Sequence, residues 1–298
     1  MSLRPPRELH AGGRTLVLGE RPVLMGIVNA SPDSFSDGPV ATSLEACVER
    51  GAALVAAGAQ IVDVGGESAR TDRPPVDPGE EIARVAPVVE RLAAAGHLVS
   101  VDTYKASVAE AAVAAGAAIV NDTSGLRDGA VAELCARTGA ALVIMHTPDP
   151  PKQQVDHPYE DVVEEVAAFL ADRLALALER GVPPEQVLLD PGPDFGKRPA
   201  QTVALLRGLE RLHDLGRPLL LAVSRKDFLG ALTHRAPLDR LGGTLAAVAH
   251  GVDAGAHVLR VHDVAATADF LAVRAALSGE RELEPGLELP DALRREPE

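Results

Sequence analysis

The chain has 298 residues, of which 46% are hydrophobic but only 2% aromatic, so a full core has to be built from aliphatic side chains. A net charge of −14 argues against a nonspecific binder of nucleic acid or of an anionic membrane surface. The N-terminus lacks a basic-then-apolar signal pattern, and no apolar run approaches about 18 residues, so we expect a cytoplasmic protein.

Short apolar runs alternate with amphipathic segments along the whole chain. The runs are apolar on both faces, as expected for parallel strands that are covered on two sides. They lie at residues 23–29, 59–65, 98–102, 118–122, 141–146, 187–190, 219–224 and 258–262.

Three of the intervening segments carry clear helix patterns. The clearest, 77–95, begins with Asp77 and Pro78 and has Glu80 at the spacing of a capping box. Segments 159–180 and 241–254 are also helical in pattern.

The strand–helix alternation predicts a single-domain (β/α)8 TIM barrel of the α/β class, spanning residues 21–279. A doubly wound sheet is the competing architecture. The chain lacks a Gly-x-Gly-x-x-Gly pattern after the first strand, which weakens a dinucleotide-binding version of it. Residues 1–20 are expected to form a lead-in hairpin or arm, and residues 280–298 a poorly ordered tail.

Polar residues follow each apolar run, where a barrel of this kind builds its site. Carboxylate, amide and ammonium groups can together satisfy a flat heterocycle rich in donors and acceptors, and Met145 and Phe195 could supply apolar faces. The polar candidates are Asp102, Asn121, Asp190 and Lys226. Each also has a simpler interpretation, as a helix cap, a turn residue, a solvated charge or, for Lys226, a Schiff-base lysine.

A second group of residues suits an anion. Arg70, Arg260 and His262, together with Asn29, fit a phosphate or diphosphate, with Mg²⁺ as a possible companion. The simpler alternatives are a surface ion pair for Arg70 and a structural role for His262 beside Asp263.

The motifs at the strand ends resemble those of the dihydropteroate synthase family of pterin-binding barrels, and the resemblance runs from Val23 to Val264. The motifs are Gly26-Ile-Val-Asn-Ala-Ser-Pro-Asp-Ser-Phe-Ser-Asp-Gly, Asp63-Val-Gly-Gly-Glu-Ser, Ser100-Val-Asp-Thr, Asn121-Asp122, Asp190-Pro-Gly, Phe195-Gly-Lys, Ser224-Arg-Lys and Arg260-Val-His-Asp.

The resemblance implies a transferase that condenses a dihydropterin diphosphate with p-aminobenzoate, in a homodimer that uses Mg²⁺. It implies catalytic roles for Asp102, Lys226 and Arg260, and metal binding by Asn29. The pterin set would be Asp102, Asn121, Met145, Asp190, Phe195 and Lys226, and the diphosphate set Asn29, Ser68, Arg70, Arg260 and His262.

The implied acceptor pocket departs from the family pattern, in a way that resembles a divergent actinobacterial group of paralogues. Its residues are Ala69, Thr71, Asp194, Ser224 and Asp227. The family often has Ser directly after Ser-Arg-Lys, at a helix N-terminus that receives the aminobenzoate carboxylate. Asp227 stands there in this chain, and a second carboxylate would be repelled.

Several functions therefore stay open at this point. The first is a dihydropteroate synthase with an altered acceptor pocket. The others are a transferase for another amine, a non-catalytic pterin-binding protein, and a barrel aldolase that works through Lys226.

Overall fold

The computed structural model describes residues 6–19, 21–31, 43–68, 71–153, 155 and 157–294. Strands and helices alternate along these residues, as the sequence pattern predicts. After a hairpin of β1 (Arg7–Ala11) and β2 (Arg14–Leu18), the parallel strands are β3 (Val23–Asn29), β4 (Ile61–Gly65), β5 (Val99–Asp102), β6 (Ile119–Asp122), β7 (Ala141–Met145), β8 (Val187–Asp190), β9 (Leu220–Leu221) and β10 (Val258–Val261).

The helices follow the strands in turn. They are α1 (Leu44–Ala56), α2 (Pro78–Ala94), α3 (Ala106–Ala114), α4 (Gly129–Thr138), α5 (Val162–Glu179), α6 (Pro199–Arg207), α7 (Asp227–Thr233), α8 (Leu241–Asp253) and α9 (Val264–Leu277). Asp77 caps α2 by accepting the backbone N–H groups of Gly79 and Glu80.

The parallel sheet closes on itself. Its strand order is β8-β7-β6-β5-β4-β3-β10-β9, and a parallel bridge between Leu189 and Leu219 joins the two ends. The N–H of Leu189 also donates to the carbonyl oxygen of Pro218 at 3.0 Å. The prediction of a (β/α)8 barrel is confirmed.

One strand is much shorter than its apolar run. The run at 219–224 gives a strand of only two residues, Leu220 and Leu221. Arg225 has a φ of 59°, and the N–H of Lys226 turns back to the carbonyl of Val223 at 3.5 Å. The chain therefore bends away before the polar residues of this segment, which leaves them at the barrel mouth.

Alternate residues of each strand pack into two separate clusters. Leu142 and Ile144 of β7 contact the helices, whereas Ala141 and Val143 fill the barrel interior. The interior residues of the other strands include Met25, Ile61, Ile119, Leu188, Leu220 and Val258. Because side chains alternate along a strand, the residues two places further on also point inward, at the carboxyl end.

The hairpin of β1 and β2 covers the opposite end of the barrel. Leu9 and Leu18 are fully buried and belong to the interior cluster. The N–H of Gly12 donates to the carbonyl of Gly139 at 2.9 Å, which anchors the turn. The hairpin therefore covers the interior at its amino end, and the polar side chains that could bind a ligand lie at the carboxyl end of the strands.

Residues 280–294 lie on the surface and include a short 3-10 turn at Asp291–Leu293. In the part of the chain that the structure describes, none of the helices is both long enough and apolar enough to cross a membrane.

Two glycines of α8 provide a test of how tightly the helices pack on the barrel. A Cβ at Gly251 would lie 2.2 Å from Cδ2 of Leu221, whereas one at Gly242 would meet no atom within 4 Å. We expect Gly251→Ala to lower the free energy of unfolding by about 1–3 kcal/mol, because the added methyl overpacks the core. Gly242→Ala should be neutral or stabilising by up to about 1 kcal/mol. Urea denaturation of both variants measures the difference, and equal effects would contradict this packing.

Candidate functional site

A cluster of ionic and amide side chains fills the carboxyl end of the barrel interior. The guanidinium of Arg260, on β10, donates to Asp63 of β4 and to Asp102 of β5, each at 2.6 Å. The amide of Asn121, on β6, donates to the same Asp63 oxygen at 3.2 Å. Strand register explains the assembly, since Asp102 pairs with Asn121 and lies opposite Gly65 on the neighbouring strands.

Burial raises the pKa of two carboxyl groups at this end of the barrel, those of Asp102 and Asp190. Burial raises the pKa of Asp102 to about 7; Arg260 opposes this shift, and the nearby Asp63 adds to it. Burial also raises the pKa of Asp190, although its carboxylate accepts the Gly192 N–H at 2.7 Å. The carboxyl of Asp102 can therefore donate as well as accept a hydrogen bond near neutral pH.

Several polar atoms of the site have no partner among the described residues. They are Oδ1 of Asp63, Oδ1 of Asn121 and Oγ of Ser100, all of them buried. Leaving a buried polar group unpaired costs about 1–3 kcal/mol, so such atoms usually mark the place of a polar ligand. This site suits a molecule that offers several donors and acceptors.

Lys226 and Phe195 form one wall of the site. The ammonium of Lys226 lies 4.2 Å from the centre of the Phe195 ring. Burial lowers the pKa of Lys226, and the carboxylates of Asp194 and Asp190 oppose that shift. Met145 is 2% exposed, and its Cγ lies 3.3 Å from the place a Cβ on Gly192 would take. An apolar face and a cation therefore lie side by side.

His262 presents a hydrogen-bond donor to the same end of the barrel. Its Nδ1 lies 3.0 Å from the hydroxyl oxygen of Ser224, which also accepts the His262 backbone N–H at 3.2 Å. This contact fits a ring whose Nδ1 accepts the hydroxyl proton and whose Nε2 carries the hydrogen. Burial, with Arg225 and Arg260, lowers the pKa of His262 to about 3, so the ring is neutral.

The first two loops of the mouth are only partly described. Asn29 ends β3 and Ser68 follows β4, and Lys152 donates to the Ser68 carbonyl. Thr71 is exposed. Ala69 and Arg70 lie outside the described residues, so their predicted roles stay predictions.

Hydrogen bonds to Glu67 anchor the loop after β4. Its carboxylate accepts from the Lys105 ammonium at 2.5 Å, the Tyr104 hydroxyl at 3.0 Å and the Val76 N–H at 2.9 Å. Burial alone would raise the pKa of Glu67, but Lys105 and Val76 lower it below its ordinary value. No sequence pattern predicts this cluster, because its members lie far apart in the chain and outside the strands.

Asp227 and Asp194 both lie at the start of α7, and their roles in an acceptor pocket stay predictions. The Asp227 side chain is 89% exposed and pairs with Arg240 at 2.9 Å. The carboxylate of Asp194 accepts the Phe228 N–H at 3.2 Å and the Thr202 hydroxyl at 3.0 Å. Asp194 reaches this position because the loop before α6 turns back to α7 through an Asp194 φ of 67°.

Asp63 and Lys197 were not among the predicted site residues. Asp63 could have been found by counting, because it is two places after the interior residue Ile61. Lys197 follows Phe195 by two residues in a loop and is 5% exposed. The burial of Lys197 could not be predicted from alternation along a strand, because the residue lies in a loop.

Two acidic residues beside the site take part in local structural contacts. Asp122 points away from the interior and accepts the N–H and hydroxyl of Ser124, each at 2.6 Å, as a structural turn residue. Asp263 binds Arg225 through both of its carboxylate oxygens, at 2.7 and 3.1 Å.

Comparison with known proteins identifies relatives over nearly the whole chain. Residues 25–262 match the family model described as pterin binding enzyme. Dihydropteroate synthase of Escherichia coli (strain K12) is 40% identical over 274 residues, which cover 91% of this chain and 97% of that protein. The dihydropteroate synthase of Neisseria meningitidis serogroup B is 41% identical over 279 residues, covering 91% and 98%.

Solved structures agree with these sequence relatives. Xanthomonas albilineans dihydropteroate synthase with 4-aminobenzoic acid has a TM-score of 0.85 at 44% identity and covers 92% of this chain and 99% of that one. The same organism's enzyme in complex with 7,8-dihydropteroate has a TM-score of 0.82 at 44% identity, with 91% and 98% covered.

The raised pKa of Asp102 predicts a pH-dependent stability. Between the ordinary value of 3.8 and about 7, the folded protein keeps a proton that the unfolded chain has lost. The free energy of unfolding therefore falls as the pH rises through this window, by up to about 1.4 kcal/mol per pH unit. Asp102→Asn should lack this part of the slope. Urea unfolding of both proteins between about pH 5 and 7 measures it, and parallel pH profiles would contradict the assignment.

Proposed function

The chain belongs to the pterin-binding enzyme family as a dihydropteroate synthase, and from this membership we propose how its barrel mouth joins two substrates. These are 6-hydroxymethyl-7,8-dihydropterin diphosphate and p-aminobenzoate, and the products are 7,8-dihydropteroate and diphosphate. The observation that carries the proposal is the Asp63–Arg260–Asp102 cluster with Asn121, whose unpaired polar atoms face the interior.

The pterin ring fits the deep part of the site. Asp102 and Asp190 supply carboxyl groups for the N–H edge of the ring, and Asn121 supplies both a donor and an acceptor. Lys226 donates to the ring carbonyl, and the faces of the ring lie between apolar groups such as Met145 and Phe195. Burial strengthens these hydrogen bonds because water is excluded.

The diphosphate lies nearer the opening. His262 offers its Nε2–H as a donor, and the charge of Arg260 attracts the anion. We place Asn29, Ser68 and Arg70 in the same set, on the loops that follow β3 and β4.

The residues of the site fit a Mg²⁺ ion that is held mainly by the substrate's phosphate oxygens and by water. The described residues contain no group of three His, Cys, Asp or Glu side chains able to hold a metal. Asn29 ends β3 with an amide oxygen, and Mg²⁺ in nucleotide and phosphate sites often takes one or two protein oxygens and fills the rest of its shell with phosphate and water. Bound there, it would neutralise charge that develops on the diphosphate.

The reaction needs no covalent intermediate with the protein. The bond between the pterin methylene carbon and the diphosphate oxygen breaks, and both electrons leave with the oxygen. The electron-rich pterin stabilises the positive methylene, the amine lone pair forms the new C–N bond, and the amine then loses a proton. Asp102, Lys226 and Arg260 act by orienting the ring and by balancing charge.

We also propose that the protein works as a homodimer in the cytoplasm. Leucine side chains on and after α7 are exposed, among them Leu232 at 64% and Leu238 at 57%, and a second copy could cover them. A diphosphate substrate carries several charges and does not cross a bilayer unaided, which favours the compartment where it is made.

The condensation assay tests the activity. Purified protein, Mg²⁺, the pterin diphosphate and p-aminobenzoate should release diphosphate in step with dihydropteroate. We expect Lys226→Met to lower kcat/KM by about 100-fold, since a buried hydrogen-bond donor and a charge are both lost. Arg211→Ala, which removes an exposed ion pair with Glu164, is the control. No product from the unmodified protein would reject the proposal.

Asp194 should disfavour an anionic acceptor. Its carboxylate lies at the start of α7. Repulsion between this carboxylate and that of a neighbouring p-aminobenzoate is worth on the order of 1 kcal/mol in a partly solvated site. We expect Asp194→Asn to lower the KM for p-aminobenzoate about fivefold and to leave the KM for the uncharged 4-aminobenzamide within about twofold.

Asp227→Asn is the matched control for this measurement, because Asp227 is exposed and paired with Arg240. Asp227→Asn should change neither the KM for p-aminobenzoate nor the KM for 4-aminobenzamide. If Asp227→Asn rather than Asp194→Asn selectively improved p-aminobenzoate, the assignment of the repelling charge would be overturned.

A further inference from the structure

A buried ammonium lies beneath the site and takes no part in the chemistry described above. Lys197 is only 5% exposed. Its Nζ contacts the carbonyl oxygens of Gly192 and Phe195 at 2.8 and 2.9 Å, and Nδ1 of His146 at 2.8 Å. An ammonium has three N–H donors, so each of them has an acceptor here.

These contacts tie the loop between β8 and α6 to the end of β7. Gly192 and Phe195 belong to the loop, whereas His146 directly follows β7. The His146 ring is itself held in place, because it is 2% exposed and meets the Phe169 ring edge-on at 4.8 Å. Lys197 therefore anchors two loop carbonyls to a fixed part of the barrel.

The protonation of His146 agrees with this arrangement. Burial and the charge of Lys197 lower the pKa of His146 to about 2, so the ring is neutral and its Nδ1 can accept a hydrogen bond. Burial likewise lowers the pKa of Lys197 to about 7, while Asp190 opposes the shift and Lys226 adds to it.

Both anchored residues hold a functional group of the site. The N–H of Gly192 donates to the Asp190 carboxylate at 2.7 Å, and the Phe195 ring lies under the ammonium of Lys226 at 4.2 Å. A shift of this loop would move a carboxyl group and a ring at the same time.

We propose that Lys197 is a positioning residue for this wall of the site: by holding the carbonyls of Gly192 and Phe195 against His146, it fixes the Phe195 ring beneath Lys226 and the N–H that orients Asp190. The proposal rests on the proposed function only in naming a pterin as the ligand of the wall. The placement of residue 195 can be measured on the protein alone.

Tryptophan fluorescence provides that measurement. The chain contains no tryptophan, so Phe195→Trp introduces a single reporter at the wall. In this background we expect Lys197→Met to raise the acrylamide quenching constant by about twofold or more, because the loop loses its anchor. An unchanged quenching constant in the folded double variant would overturn the proposal.

Lys105→Met is the matched control in the same background. Lys105 is also a largely buried ammonium, bound by Glu67 and Glu81 on another part of the mouth. Its loss should leave the quenching constant within about 20%, even though it too destabilises the fold. Equal increases from both lysine variants would overturn the proposal, because the effect would then be general loosening of the fold.

Ligand binding tests the consequence for the site. Calorimetry with the pterin diphosphate and no arylamine should show that Lys197→Met weakens binding about tenfold, but only about threefold in a Phe195→Ala background, where the effect through Asp190 alone is left. Additive effects would contradict action through Phe195. Absence of binding to the unmodified protein would instead reject the proposed function, and the quenching comparison would still decide the role of Lys197.

A second pair of variants serves if Lys197→Met does not fold. His146→Leu removes the Nδ1 acceptor, whereas His146→Asn keeps an acceptor near the same place, and both lose ring packing. With Trp at position 195, quenching should rise for His146→Leu and stay near the starting value for His146→Asn. Equal quenching in the two would overturn the proposal.

Discussion

The site depends on one guanidinium shared between two carboxylates. Arg260 holds Asp63 and Asp102 together, and Asp63 in turn accepts from Asn121, so four strands are joined by side chains at the carboxyl end of the barrel. Burial disfavours the ionised form of Asp102, and the nearby Asp63 adds to this effect while Arg260 opposes it, so Asp102 retains a proton to a pH at which an ordinary carboxyl would be ionised. Such a cluster is ready to exchange hydrogen bonds with a ring that carries both donors and acceptors.

The sequence was most informative about the parallel strands and the polar residues at their carboxyl ends. Parallel strands that are covered on both faces are apolar throughout, so the strands could be located from their composition, and the polar residues that end them had to meet at one mouth. Asp102, Asn121 and Asp190 were found in this way. Asp63 lies two residues before the end of β4, deeper in the interior, and the sequence pattern predicted no binding role for it.

The sequence was least informative where long loops decide the geometry. The side chain of Asp227, at the first position of α7, turns to solvent and pairs with Arg240, a contact that the motif does not predict. Asp194 reaches the start of α7 from a different loop, through a left-handed backbone conformation that could not be predicted from the sequence pattern. The anchoring of Phe195 by Lys197 was hidden for the same reason, since it joins a loop to the end of another strand.

The hairpin at the amino end of the barrel has a consequence for the order of events during turnover. Leu9 and Leu18 cover that end, so substrates reach the polar site from the carboxyl end of the strands. In the proposed ring site, Asn121 and Asp190 are almost fully buried, whereas His262 of the proposed diphosphate set is partly exposed. On this proposal the pterin binds before the arylamine, since an arylamine bound first would block access to the deeper site.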